Sequence, residues 1–492
     1  MKNIAEARDE VHRHVKDLLR VVDREEPLSA THVETVLWSG VLLLGGAMMA
    51  LFFARQAARW PAGTQYELRG LTYEVEGGET VEVGTKFAKI AIWRPVGRVV
   101  GRVRLPRDLP MTRALGLPGN FTLPLITLVA KFTPMMAFLP TRQILRDLLG
   151  WAPAPRSVLR MVDAIGKEAR PFLEQAVVPE DDTDVLLITV DGKGAPTISS
   201  GEYGKRAQPH KKGRVGHAKK SGSPKKRRGP GKKSKNAKMA AVGVICTLRY
   251  DAHGRPRPVN KRIYATFASY RAVFVWLKQE AVRRGLGTEK FRKVQFVADG
   301  ADVLWDLQQE FFPTAEPCLD WMHAVEKLWS SGKAINRGSR TKRAPLEVWV
   351  HAQRTLLRQG KLEDVLATLQ SALDTTSATG PGNKYRRKVL SDTINYFTKN
   401  KVRMRYDRLR RQKLVIGSGL IEGTVRHLVG MRLDGPGMRW GKARAEAVLH
   451  LRCVVLNGSW NDFETYLASR EGLCLAAQPI ATVTHDAVKQ AA

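Results

Sequence analysis

The sequence predicts an α/β core built on a mixed sheet with flanking helices, interrupted by a helical insertion and preceded by helical and small β modules. Three observations predict it. Residues 184–193 read Asp-Val-Leu-Leu-Ile-Thr-Val-Asp-Gly-Lys, an apolar run of the kind that forms a strand buried on both faces. Residues 293–300, Lys-Val-Gln-Phe-Val-Ala-Asp-Gly, repeat that outline. Between and after them the sequence alternates helical patterns with short apolar runs, as α/β domains do.

Composition bounds the rest. A chain of 492 residues with 43% hydrophobic content and 11 tryptophans has room for several packed domains and is not a disordered polymer. It carries 81 Lys+Arg against 47 Asp+Glu, a net charge of +34. A solvated surface normally mixes the signs, so this excess points to a polyanionic partner, nucleic acid first. The four cysteines, Cys246, Cys318, Cys453 and Cys474, form no C-x-x-C pair, which fits reduced thiols in a cytoplasmic protein.

In order along the chain, residues 1–60 are expected as a helical region. Val11, Val15, Leu18, Leu19 and Val22 share one face of a helix over 4–24, which packs on the apolar helix that follows. Residues 35–54 carry no charge and are long enough to span a bilayer. Ser39, Gly40, Gly45 and Gly46, and the capping-box pattern Thr31-x-x-Glu34, favour a buried helix instead; no membrane is expected. Residues 61–110 form a small β module, with alternating residues 73–76 and 79–83 reading as a hairpin around Gly77 and Gly78.

Residues 111–178 turn helical. Thr141 can cap a helix bearing Ile144, Leu145, Leu148 and Leu149 that stops at Gly150. A second short helix carries Val158, Leu159, Val162 and Ile165 and stops near Gly166. The pair reads either as an ordinary helical hairpin or, with Arg156 and Arg160 on its polar side, as a DNA-binding helix-turn-helix.

The core opens over 179–330 and contains a basic stretch at 203–238. From Lys205 to Lys238 there are 15 Lys+Arg and no acidic residue, so this segment is expected to be disordered alone. Lys211, Lys212, Lys225, Lys226, Arg227 and Arg228 would hold DNA phosphates; a nuclear-localisation signal is the competing reading. Strands are expected at 239–248 and 262–267, a helix at 270–284, and a short strand entering a helix at 315–323. Residues 331–412 are a helical insertion, 413–470 close the core, and 471–492 form a tail.

Asp191 and Asp299 each close an apolar run and precede glycine. Asp-Gly is also a common turn dipeptide, but two such ends in one α/β region would bring two carboxylates to one sheet edge. Their repulsion is relieved by a divalent cation such as Mg²⁺, which prefers oxygen ligands. Two such ions can serve both the attacking and the leaving oxygen of an in-line phosphoryl transfer. Glu422, at the edge of a helix whose buried stripe is Ile421, Val425 and Leu428, is the candidate third carboxylate; a solvated glutamate in a helix's first turn is the alternative. Asp302 and Asp306 compete for the second ligand position.

Together, Asp191-Gly, Asp299-Gly, Gly-Ser-Gly-x-x-Glu422, Val429-Gly-Met-Arg-Leu and Gly437-Met-Arg-Trp440-Gly resemble the DDE transposases of bacterial insertion sequences, closest to those allied with the Mutator-like group. The Asp320-Trp-Met-His323 motif is similar to the Asp-x-x-His that such enzymes carry after their second aspartate. The resemblance covers residues 184–467. It implies a ribonuclease-H-like core whose last acidic residue follows a helical insertion. It also implies Asp191, Asp299 and Glu422 as a triad holding two Mg²⁺ or Mn²⁺ ions. Asp320 and His323 would support the site by contacting the scissile phosphate, and Trp440 would stack on a flanking base or serve the core. Arg426, Arg432, Arg439 and Arg444 fit phosphate positioning. The expected function is cleavage at transposon ends and strand transfer into target DNA, by a homo-oligomer on DNA at the bacterial nucleoid. A metal-dependent nuclease or resolvase, or a non-catalytic DNA-binding protein derived from a transposase, are the alternatives.

Overall fold

The computed structural model describes residues 3–101, 107–199, 237–336, 343–435 and 438–470. Six of the expected DNA contacts, Lys211, Lys212, Lys225, Lys226, Arg227 and Arg228, lie outside them, as do Cys474 and Gly437. Two compact units divide the chain: Met1–Arg170 with Ser459–Ala492, and Pro171–Gly458.

In the first unit, helix α1 (Ile4–Val22) starts on a reciprocal capping box between Asn3 and Glu6. Helix α2 (Ala30–Ala57) is capped by Ser29, whose Oγ accepts from the His32 N–H, and not by the expected Thr31–Glu34 box. Leu18 of α1 lies against Gly40 of α2. Phe53 anchors the inner face of α2 in a cluster with Val83, Ile90, Ile92 and Met111. Its other side is open: Trp38 is 54% and Leu43 58% exposed, and only 17% of the most apolar 18-residue stretch is buried. The expectation of a buried helix fails on that side, because the β module covers one face only. This is one helix long and apolar enough to cross a membrane.

The β module is a three-stranded antiparallel sheet, β1 (Gln65–Leu68), β2 (Leu71–Gly84) and β3 (Lys89–Val99). Gly77 and Gly78 do not make a hairpin turn. They sit inside β2 beside a bulge, where the register shifts between Val75 and Gly77, so the alternation on either side belongs to one long strand.

Short helices α3 (Pro110–Ala114) and α4 (Leu123–Phe132) lead to α5 (Phe138–Leu149) and α6 (Pro155–Gln175). Thr141 is one turn inside α5, donating to the Ala137 carbonyl at 3.0 Å, and does not cap it. Gly150 ends α5 with φ of 71°, the left-handed conformation glycine adopts cheaply. Nor does α6 stop near Gly166: it runs 21 residues with Pro171 inside. Its buried stripe, Val158, Met161, Val162, Ile165, Ala169 and Phe172, continues past the glycine, and burial outweighs its poor helix propensity. Arg156 and Arg160 are exposed near its start.

The second unit is a mixed α/β domain. Strand β4 (Val185–Ile198) is central; β5 (Ala237–Tyr250) pairs with it antiparallel, and β6 (Pro256–Thr266) pairs antiparallel with β5. On the other side of β4, β7 (Lys293–Ala298) and β8 (Glu316–Leu319) run parallel to it. The order is β6-β5-β4-β7-β8. Ala237 and Lys238, expected in the basic stretch, already belong to β5. Val185, Leu186, Ile188 and Val190 are fully buried, as expected of a central strand covered on both faces.

Helices α7 (Tyr270–Arg283) and α8 (Asp302–Phe311) flank the sheet, and α9 (Trp321–Ile335) leaves β8. Helices α10 (Arg343–Arg358), α11 (Leu362–Asp374), α12 (Asn383–Lys399) and α13 (Tyr406–Arg411) form the helical insertion. The chain returns through α14 (Gly419–Val425), a π-helical turn at Arg426–Gly430 and α15 (Met431–Leu433). A two-residue strand, β9 (Trp440–Gly441), pairs with Thr197 and Ile198 of β4, and α16 (Lys442–Leu456) packs on β6. The last helix, α17 (Trp460–Ala468), belongs to the first unit, not to the closing part of the core.

Candidate active site

The sheet builds the site by register. Val190, Ala298 and Leu319 are aligned across β4, β7 and β8. The next residues on these three parallel strands are Asp191, Asp299 and Asp320. Asp191 does not end its strand: β4 continues to Ile198, and Asp191 faces Val242 of β5. It is the first residue of β4 beyond its parallel neighbour, at the carboxyl edge where α/β sheets gather their sites.

Asp191-Gly192 lies inside β4 and makes no turn, whereas Asp299-Gly300 leaves β7 in a bend closed by the Asp299 side chain; in both, the glycine also meets a tyrosine. A Cβ at Gly192 would lie 2.3 Å from the Tyr270 hydroxyl, and one at Gly300 would lie 2.2 Å from the Tyr396 ring. Each glycine makes room for a tyrosine beside the adjacent aspartate. Burial pushes the Tyr270 phenol up to about 12, and the charges of Asp191 and Asp299 add to the shift. Tyr396 is raised in the same way by burial and by Asp299 and Asp320.

Asp191 Oδ1 accepts from the Gly192 N–H at 2.6 Å, and Asp299 Oδ1 accepts from the Ala301 N–H at 2.9 Å. Burial raises the Asp191 carboxyl above the ordinary carboxylate range. The neighbouring charges of Asp299 and Asp320 raise it further, while the Gly192 N–H and His323 act in the opposite direction.

Asp320 is fully buried and ties three segments together. Its N–H donates to the Ala298 carbonyl at 2.8 Å, and Oδ1 accepts from the Ser418 N–H at 2.6 Å. Oδ2 accepts from the His323 N–H at 3.1 Å and lies 2.6 Å from His323 Nδ1. Burial pushes Asp320 up, but His323 and the Ser418 N–H more than offset it and hold the carboxyl low. The hydrogen bond to Asp320 raises His323 to about 9, so it is an imidazolium at neutral pH. Asp320 cannot contact a phosphate as expected, since its carboxylate is buried and both oxygens are engaged. It is a positioning residue. His323, 40% exposed, retains the reach that Asp320 lacks.

Glu422 lies in the first turn of α14, its N–H donating to the Ser418 carbonyl at 2.9 Å. The Asp320–Ser418 bond therefore anchors this helix beside the row of aspartates. Ile421, Val425 and Leu428 are buried as expected, and α14 packs against β4 and β5. The Glu422 carboxylate itself is exposed. Among the described residues no three His, Cys, Asp or Glu side chains come together as a metal-ligating group, so Glu422 does not complete a triad with Asp191 and Asp299 in this conformation. The remaining oxygens of Asp191 and Asp299 still suit a hard divalent cation, because two neighbouring carboxylates, one of them raised by the other's charge, gain from a shared positive partner.

The π turn after α14 is held from behind. Buried Arg452 donates Nε to the Leu428 carbonyl at 2.7 Å and another guanidinium nitrogen to that of His427. Burial lowers Arg452 to about 10. Trp440 is 5% exposed, its Nε1 donates to the Leu433 carbonyl at 3.0 Å, and the Arg432 guanidinium lies 4.7 Å from its ring centroid. Trp440 is thus in the core reading and is not presented to a base here; Arg432, 2% exposed, is not presented to a phosphate. Arg426 and Arg439 are exposed. Asp302 is drawn off into an ion pair with Lys399.

Sequence reasoning missed Tyr270, Tyr396 and Arg452, which nothing in their local pattern marks; Ser418 lies in the Gly-Ser-Gly-x-x-Glu422 motif, but its bond to Asp320 was not foreseen. No family model matches the chain, and no curated protein matches it.

Proposed function

We propose that this chain is a DDE-type DNA transposase with a ribonuclease-H-like core, cleaving DNA at transposon ends and joining the freed strand to target DNA. The observation that carries the reading is the alignment of Asp191 and Asp299 on neighbouring parallel strands, with His323 held beside them by Asp320. A mixed sheet, and a helical insertion between Asp299 and Glu422, agree with it, and a net charge of +34 suits DNA.

Asp191 and Asp299, with Glu422 as a third ligand, would hold Mg²⁺ or Mn²⁺, which supplies charge neutralisation for in-line phosphoryl transfer. The chain's own contribution is placement and charge. Asp320 orients the His323 imidazolium, which offers a cation to a phosphate oxygen near the aspartates. Asp320 also fixes the start of α14 through Ser418, setting where Glu422 can swing. Arg426 and Arg439 add exposed cations on the same closing segment. Partners on this reading are transposon ends, target DNA and further copies of the chain, at the bacterial nucleoid.

The exposed Glu422 favours a second reading, a DNA-binding protein derived from a transposase. The test is Mg²⁺- or Mn²⁺-dependent cleavage and strand transfer on DNA flanking the protein's own gene. The transposase reading expects both reactions from the wild type and neither from Asp191→Asn. Cleavage without strand transfer would make the chain a nuclease. Binding with no cleavage would leave the second reading.

A further inference from the structure

Residues 399–413 carry eight cations, Lys399, Lys401, Arg403, Arg405, Arg408, Arg410, Arg411 and Lys413, against the single carboxylate of Asp407. Several are accounted for: Lys399 pairs with Asp302, Lys401 with Glu363, Arg408 with Glu316, and Arg411 with Asp407. Arg410 of α13 is not among them. It sits within electrostatic reach of Arg358, which shares the last turns of α10 with Arg354. Helices α10 and α13 pack on one another, so the fold holds the Arg358 guanidinium within electrostatic range of both Arg354 and Arg410.

None of the three has a carboxylate within ion-pair distance among the described residues. The Arg354 Nε is buried and lacks a hydrogen-bond partner among them. Arg358 lies over the Trp321 ring, 5.0 Å from its centroid, and Trp321 is gripped edge-on by Tyr406. The planar guanidinium is thus fixed by stacking, with its N–H fork not spent on a carboxylate. Burial and the charges of Arg354 and Arg410 lower the Arg358 pKa. Folding would not assemble like charges this way without return, and an anion accepting from all three provides it. Trp321 directly follows Asp320, so this cluster is built onto the helix that leaves the aspartate row.

We propose that Arg354, Arg358 and Arg410 form a phosphate clamp for the backbone of duplex DNA, placed on the helical insertion to hold the strand that passes the carboxylates. The proposal deepens the transposase reading and rests on it for the direction of the DNA, but not for DNA binding itself. Arginine suits the role because its fork matches phosphate oxygens bidentately.

The test uses the full chain and a labelled mixed-sequence duplex, with binding measured by anisotropy across a salt series. Each lost phosphate contact should flatten the slope of log K against log salt by about 0.9, so the triple variant Arg354→Gln, Arg358→Gln, Arg410→Gln should lose about 2.7. A thermal midpoint equal to or above the wild type's identifies a folded variant. If the triple variant melts early, the single Arg410→Gln, on an exposed member that stacks on no ring, carries the test with an expected loss of about 0.9. An unchanged slope in a folded variant overturns the proposal. So does inorganic phosphate that raises the wild type's midpoint but not the variant's while duplex binding stays equal, which would assign the site to free phosphate. A flattened slope in a chain that never cleaves DNA would keep the clamp and discard the transposase reading.

Discussion

Asp191 carries a conflict between stability and chemistry that can be measured. Its folded pKa is raised, so the ionised form is penalised by folding. The penalty is absent well below the ordinary carboxyl value of 3.8 and complete once pH exceeds the folded value. Asp191→Asn is therefore expected to raise the thermal midpoint at pH 7 by about 2 °C, to lose that advantage in acid, and to abolish cleavage. A midpoint lowered at pH 7 would sink the account. His323 has the opposite linkage: its folded pKa of about 9 lies above the ordinary 6.5. The stability from its pairing with Asp320 is fully present below about pH 6.5 and fades as pH rises through about 9. Melting curves of the wild type should show that decline, and those of His323→Ala should not. Asp320→Ala leaves the Ser418 and His323 N–H groups without their acceptor and is expected to cost about 3 kcal/mol in denaturant titrations. The aspartates were legible at this scale because each closes an apolar run, and His323 because it follows Asp320 at helical spacing. Tyr270 and Tyr396 were not, since the reason for Gly192 and Gly300 is a long-range approach. Arg432 misled for the complementary reason: an arginine beside the candidate site reads as surface chemistry until folding stacks it on Trp440, whose core reading had been left open.

Elements were legible where one period dominates. The apolar runs before Asp191 and Asp299 and the helix start at Asp320 follow their sequence signals, whereas the expected helix was stopped short at Gly166 and β2 was read as a hairpin around Gly77 and Gly78. Gly166 and Gly77 are weak punctuation: the buried stripe of α6 and the β3 partner of β2 carry the element through. The apolar helix α2 shows how composition can say what a helix is made of and not what covers it. Its two sides predict different mutational costs. Phe53→Ala, in the cluster of Val83, Ile90, Ile92 and Met111, should cost about 3–5 kcal/mol. Leu43→Gln, at 58% exposure, should change stability by less than about 0.5 kcal/mol. Chemical denaturation of both variants checks the difference, and equal losses would mean that the open side of α2 is covered in solution.

Across the whole molecule, the α/β character and the approximate position of the core were readable from periodicity and charge, but the division of the chain was not. The boundary falls at Arg170 and Pro171, inside a continuous helix with no linker composition, and α17 returns to the first unit after the core has closed. Glu422's placement depended on a similarly distant event, the Ser418–Asp320 bond across 98 positions. Charge makes a prediction at this scale as well. Replacing residues 201–236 with a short Gly-Asn turn should weaken duplex binding and flatten its salt dependence while leaving the thermal midpoint within a few degrees of the wild type's, about 1 kcal/mol or less. A collapse of the midpoint would show that the segment is part of the fold's support.

That prediction follows from the pairing of Pro196 with Ala237. The two ends of the most basic stretch are already side by side on adjacent strands, so its length is uncoupled from the register that aligns Asp191 with Asp299. Closing a longer loop costs only logarithmically more. On the proposed reading, selection could lengthen, shorten or recharge this segment, and so retune DNA affinity, without moving the aspartate row. On that reading, affinity and chemistry would be heritable as separate traits.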